Sequence, residues 1–143
     1  MPTIAQTRSF PGAYNQLKEI CSFVSHFAES VGFSDDETYQ ICMAVDEACS
    51  NIIEHAYGFE NQGIIDCSLS FDAPALFIQL RDDGRPFSPG DIPKPNVKAP
   101  LKHRKNHGLG YFFMQNTMDE VAYSPNTGKG NLLVLRKDLG NDQ

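Results

Sequence analysis

Tyr14, Leu17, Ile20, Cys21, Val24, Phe27, Ala28 and Val31 recur at three- and four-residue intervals, the spacing that gathers side chains along one side of a helix. A helix is therefore predicted over residues 13–31, ended by Gly32. Directly after it, Ser34 and Glu37 stand at capping-box spacing, where a hydroxyl takes an orphan amide and a carboxylate reaches back. A second helix should follow over residues 35–57, with Ile41, Val45, Ala48 and Ile52 as its apolar side. The period then changes from helical to twofold. Ile65, Cys67, Leu69 and Phe71 alternate with Asp66, Ser68 and Ser70, as in a half-buried strand over residues 63–73.

Residues 72–74 form a short turn, and the next run sets Leu76, Ile78 and Leu80 on one face. Counting on by two places Asp82 on that same face at the strand end, so a carboxylate emerges at the mouth of the core. A weaker strand is predicted over residues 3–10, closed by Pro11 and Gly12. Five of the nine prolines fall in residues 86–100, which should be an irregular loop. A third helix is expected over residues 108–118, with Leu109, Phe112, Phe113 and Met118 as core. Strands follow near 120–123 and 131–137, the last with Asn131, Leu133 and Leu135 on one face. Strands and helices that each have one apolar side are satisfied by a two-layer α/β sandwich, a sheet covered on one face by helices.

Composition narrows the function. A chain of 143 residues that is 41% apolar fits one compact domain. Its net charge of −6 argues against nucleic acid or an anionic membrane as a general partner. Cys21, Cys42, Cys49 and Cys67 include no CxxC pair, and two lie in helical patterns with apolar neighbours. Buried free thiols in a reducing cytosol are expected rather than disulfides or metal ligands. No stretch approaches the ~20 apolar residues needed to span a bilayer, and no basic start followed by an apolar segment opens the chain. A soluble cytoplasmic protein is the expectation.

Three islands carry candidate chemistry. Residues 45–57 read VDEACSNIIEHAY, and Glu47, Asn51 and His55 stand at i, i+4 and i+8, one polar stripe on the second helix. A solvated helix face has the same spacing. An amide oxygen, however, is a hard ligand suited to Mg²⁺, and a carboxylate one turn away can take a proton from an attacking hydroxyl. Residues 82–87 read DDGRPF. An aspartate at a core mouth needs a donor, and an adenine amine is one; Gly84 lets the backbone pass close to a base. Residues 108–110 read GLG, ahead of a helix whose free amides suit phosphate oxygens. Lys94, Lys98, Lys102, Arg104 and Lys105 lie between the last two islands with no acid among them, an unusual basic excess in an acidic chain.

Residues 45–57 resemble the N box of the histidine-kinase-like (GHKL) ATPases, residues 82–87 their first glycine box, and residues 108–110 their second. Residues 99–105, APLKHRK, and 118–121, MDEV, resemble the anti-sigma factor serine/threonine kinases of that superfamily most closely. The resemblance implies one ATPase domain over residues 1–143, with a Bergerat-type fold whose sheet is mixed and mostly antiparallel. It implies Mg-ATP bound between helices and sheet under a lid, with Glu47 as general base and Asn51 as metal ligand. Asp82 would take the adenine amine, with Asn131 assisting through a water. Lys102, Arg104, Lys105, Gly108, Leu109 and Gly110 would bind the phosphates. His55 matches the motif and has a structural hydrogen bond as its expected role; His103 and His107 are read as lid residues.

Such kinases phosphorylate a STAS-type antagonist on Ser or Thr and hold a sigma factor, and they are often dimeric, which an exposed remainder of the first helical stripe would suit. A nucleotide-sensing module that sequesters a partner without transfer is the alternative. A sensor histidine kinase would need a phosphoacceptor hairpin, for which the stretch before residue 13 is too short.

Overall fold

The computed structural model describes residues 4–87 and 113–140. Five strands, β1 (Ile4–Pro11), β2 (Ile64–Asp72), β3 (Ala75–Asp82), β4 (Glu120–Ser124) and β5 (Asn131–Asp138), form one sheet in the order β1-β2-β3-β5-β4. All four pairings are antiparallel. Two helices, α1 (Leu17–Ser30) and α2 (Asp35–Asn51), come between β1 and β2, and residues 113–117 are helical ahead of β4. The α/β sandwich anticipated from the alternating and helical stripes is the observed architecture, with one correction: among the described residues the sheet is antiparallel throughout rather than mixed, because each neighbouring pair of strands runs in opposite directions.

Both periodicities end in one core. The inner face of β3, Leu76, Ile78 and Leu80, is sealed from solvent together with Ile65, Cys67 and Leu69 of β2 and Leu135 of β5. Against it pack Ile20, Val24, Phe27 and Ala28 of α1 and Ile41, Val45 and Ala48 of α2. Met114 and Met118 close the core beyond α2, with Met114 at 1% exposure the deeper; Phe113 is half-buried, and Leu109 and Phe112 lie outside the described residues.

Local chemistry sets the ends. Ser34 Oγ accepts the Glu37 amide at 3.1 Å while the Ser34 amide donates to Glu37 Oε1 at 2.9 Å, completing the capping box. Asp35, Asp36 and Glu37 also place negative charge on the positive end of α2. At its far end the expected uninterrupted helix to Tyr57 is corrected: α-helical bonding stops at Asn51 and a π-helix runs over Ile52–Tyr57. Periodicity of apolar residues does not register that change, because the π-helix still buries Ile52, Ile53 and Ala56. Pro11, expected to end the first strand, is instead its last residue. It is tolerated because β1 is an edge strand, pairing only with β2.

The four cysteines are free thiols. Cys49 and Cys67 are buried as expected, whereas Cys21 and Cys42 are only half-buried. Among the described residues no helix is long and apolar enough to cross a membrane.

Candidate functional site

On α2, Glu47 is half-buried and Asn51 is 3% exposed, which rules out a solvated stripe. Among the described residues Asn51 Oδ1 has no hydrogen-bond partner, and neither has Glu47 Oε2. A buried, unsatisfied amide oxygen costs about 1–3 kcal/mol. Two such oxygens one helical turn apart mark a place prepared for a donor or a cation. Burial first, then the charges of Glu54 and Asp46, raise the Glu47 carboxyl to about 7, against hydrogen bonding from Asn51. A carboxyl poised there exchanges protons near neutrality.

Asp82 closes β3 and is 3% exposed. It lies directly opposite Asn131 in the β3–β5 register, so the pair meets across the strands: Asn131 Nδ2 donates to Asp82 Oδ1 at 2.9 Å, and the Gly84 amide donates to the same oxygen at 2.9 Å. Both bonds end on Oδ1. Burial raises the Asp82 pKa while the Asn131 and Gly84 bonds pull it down.

Asn131 does more than was read from its position in the strand. Its Nδ2 also donates to the Gly84 carbonyl at 3.0 Å, and its Oδ1 accepts the Asn126 amide at 3.1 Å. Its side chain is thus committed to holding the turn after β3.

The close approach that Gly84 permits is to protein. A Cβ there would lie 2.5 Å from the Ala56 carbonyl oxygen and 2.6 Å from its carbon, and the Arg85 amide donates to that oxygen at 2.8 Å. The turn after Asp82 therefore sits on the end of the π-helix. Tyr57 bolts the same junction, its Oη accepting the Asp83 amide at 3.0 Å and donating to the Ile64 carbonyl at 2.5 Å. These contacts bind the helix that carries Asn51 to the strand that ends in Asp82.

The His55 ring lies 5.5 Å from that of Phe87. Phe87 in turn stacks on Tyr123 at 5.3 Å and donates its amide to the Tyr123 hydroxyl at 3.1 Å. Tyr57, Phe87 and Tyr123 were not singled out from sequence. Tyr57 had one available signal, its place two residues after His55 at the end of the N-box stretch. Lys94, Lys98, Lys102, His103, Arg104, Lys105, His107, Gly108, Leu109 and Gly110 lie outside the described residues.

An antiparallel sheet backed by helices thus carries a half-buried Glu47 and a buried Asn51 on α2, and a buried Asp82 at the end of β3. The histidine kinase-like ATPase domain family matches residues 10–137, and the chain belongs to that family.

It is 27% identical over 122 residues to the serine-protein kinase RsbW of Bacillus cereus, covering 80% of this chain and 76% of that one. To the anti-sigma F factor of Geobacillus thermodenitrificans it is 27% identical over 116 residues, covering 81% and 80%. Among solved structures, the RsbU and RsbW domains of Rv1364c from Mycobacterium tuberculosis superpose with a TM-score of 0.64 at 14% identity, over 99% of this chain; the chain spans 34% of that larger structure. The histidine-kinase-like family expected from the three boxes is borne out, and the likeness to anti-sigma kinases read from residues 99–105 and 118–121 agrees with the names of these relatives.

Proposed function

We propose that this chain is an ATP-dependent anti-sigma factor, a protein serine/threonine kinase that phosphorylates a STAS-type antagonist and exchanges it for a sigma factor. The observation that carries the reading is the buried Asn51 Oδ1, without a partner among the described residues, on the same helix as a Glu47 carboxyl raised to about 7. The names of the relatives, serine-protein kinase and anti-sigma F factor, agree with it.

Glu47 accepts the proton of the antagonist's Ser or Thr hydroxyl as that oxygen attacks the γ-phosphorus and the bond to ADP breaks. Asn51 Oδ1 is the hard oxygen that would hold Mg²⁺, which when bound neutralises phosphate charge. Asp82 accepts the adenine amine, steadied by Asn131 and Gly84 on Oδ1. Lys102, Arg104 and Lys105, with Gly108, Leu109 and Gly110, would serve the phosphates. ATP is the substrate class that an ATPase-family domain implies; Mg²⁺, the sigma factor and a homodimer belong to the proposal.

The test is incubation with γ-labelled ATP, Mg²⁺ and a STAS-domain antagonist, with mass spectrometry of the product and pull-downs with and without nucleotide. Phosphoserine or phosphothreonine on the antagonist is expected. ATP uptake with partner capture but no transfer would establish the non-catalytic module instead, and no uptake of adenine nucleotide would overturn both readings.

A further inference from the structure

The apolar stripe of α1 runs past the part that the core covers. Its first turns, with the outer side of α2, line a groove of about 550 Å³ whose walls include Leu17, Tyr39, Met43 and Asp46 and which also admits Cys21 and Cys42. The two half-buried thiols of the protein therefore face one solvent-accessible space from adjacent helices. Cys42 Sγ donates to the Cys21 carbonyl at 3.5 Å, so the second thiol sits against the backbone of the residue that carries the first.

We propose that Cys21 and Cys42 are an oxidative modification site for hydroperoxides, in which Cys21 reacts, Cys42 resolves, and the product is a disulfide joining α1 to α2. The thiolate is the nucleophile toward peroxide. On ionisation of Cys21 the Cys42 S–H can turn from the Cys21 carbonyl to the Cys21 sulfur, which lowers the Cys21 thiol against burial, whereas the same bond and burial hold the proton on Cys42. Cys21 is thus the more acidic thiol of the pair. Cys49 and Cys67, sealed in the core with thiols pushed up by burial, are poor competitors.

The chemistry balances. The Cys21 thiolate attacks one peroxide oxygen, the O–O bond breaks, and the departing hydroxide takes a proton to leave as water, giving a sulfenic acid at Cys21. Cys42 then attacks that sulfur, its proton leaves with the sulfenic hydroxyl as a second water, and the S–S bond forms. The two sulfurs lose one electron each and the peroxide gains two. The step is independent of phosphotransfer.

The reduced full-length protein is exposed to hydrogen peroxide, alkylated, and examined without reductant. The expected result is a mass lower by about 2 Da than the dithiol form and one joined peptide containing Cys21 and Cys42. In Cys42→Ser, dimedone is expected to trap a sulfenic acid at Cys21; in Cys21→Ser, oxidation of Cys42 is expected to be slower by about tenfold or more. The proposal is overturned if the wild type yields no Cys21–Cys42 peptide, if Cys49 or Cys67 oxidises as fast as Cys21, or if Cys21→Ser leaves Cys42 equally reactive. The wild-type crosslink is decisive even if a variant folds poorly.

Discussion

As the proposed base, Glu47 would set phosphotransfer and stability against each other, and Glu47→Gln separates them. Burial raises its carboxyl from 4.5 to about 7, with Glu54 and Asp46 adding to the effect. Below the unfolded value both states hold the proton and the site costs nothing. Between 4.5 and about 7 the unfolded chain ionises while the native carboxyl resists, so stability falls as pH rises; above about 7 the cost is complete. At ~1.36 kcal/mol for each pKa unit the full interval is about 3 kcal/mol, and solvent screening of a half-buried group reduces it to about 2 kcal/mol.

Glutamine removes that cost while keeping shape. The nucleotide-free Glu47→Gln protein should therefore melt about 5 °C above wild type at pH 8, at 2–4 °C per kcal/mol for this size, and at the same temperature as wild type near pH 4.5. In the transfer assay wild-type activity should rise through pH 7 as the base ionises, while the variant stays at background at every pH with its ATP affinity intact. Calorimetric melts at the two pH values, paired with the pH–rate profile, decide the matter. A melting gain that is absent at pH 8, or equal at both pH values, refutes the electrostatic argument, and a variant as active as wild type refutes the assignment of Glu47 as base.

Asn51→Ala removes the orphaned buried Oδ1; titration calorimetry should show Mg²⁺-dependent ATP affinity lower by about tenfold or more, ~1.4 kcal/mol, with affinity in EDTA little changed. Asn131→Ala leaves Asp82 with only the Gly84 amide and strands the Asn126 amide, so urea denaturation should show a loss of ~1–3 kcal/mol. Gly84→Ala drives a Cβ to 2.5 Å from the Ala56 carbonyl oxygen; separation of the turn from the π-helix should cost ~1–3 kcal/mol by the same measurement and weaken ATP binding, and unaltered stability would show that the junction yields freely.

The amino-acid sequence by itself determined the layers and which described elements carry the candidate site residues. Helical spacing in α1 and α2 and twofold alternation in β2, β3 and β5 are local properties. The Ser34–Glu37 capping box is too, and counting by two along β3 was enough to carry Asp82 to the inner face. What surrounds those residues was settled only by tertiary structure. Asn131 meets Asp82 through strand register across 49 residues, which the sequence around neither residue encodes. The change to π-helical bonding after Asn51 leaves the apolar pattern intact, and Gly84 is needed where Ala56 arrives from another element. Cys21 and Cys42 look like core thiols in their own helices, and only the packing of α1 beside α2 leaves both facing one groove. Periodicity reports which side of an element is apolar; the partner that reaches that side is fixed when distant segments close on one another, because shape, register and hydrogen-bond satisfaction are then decided together.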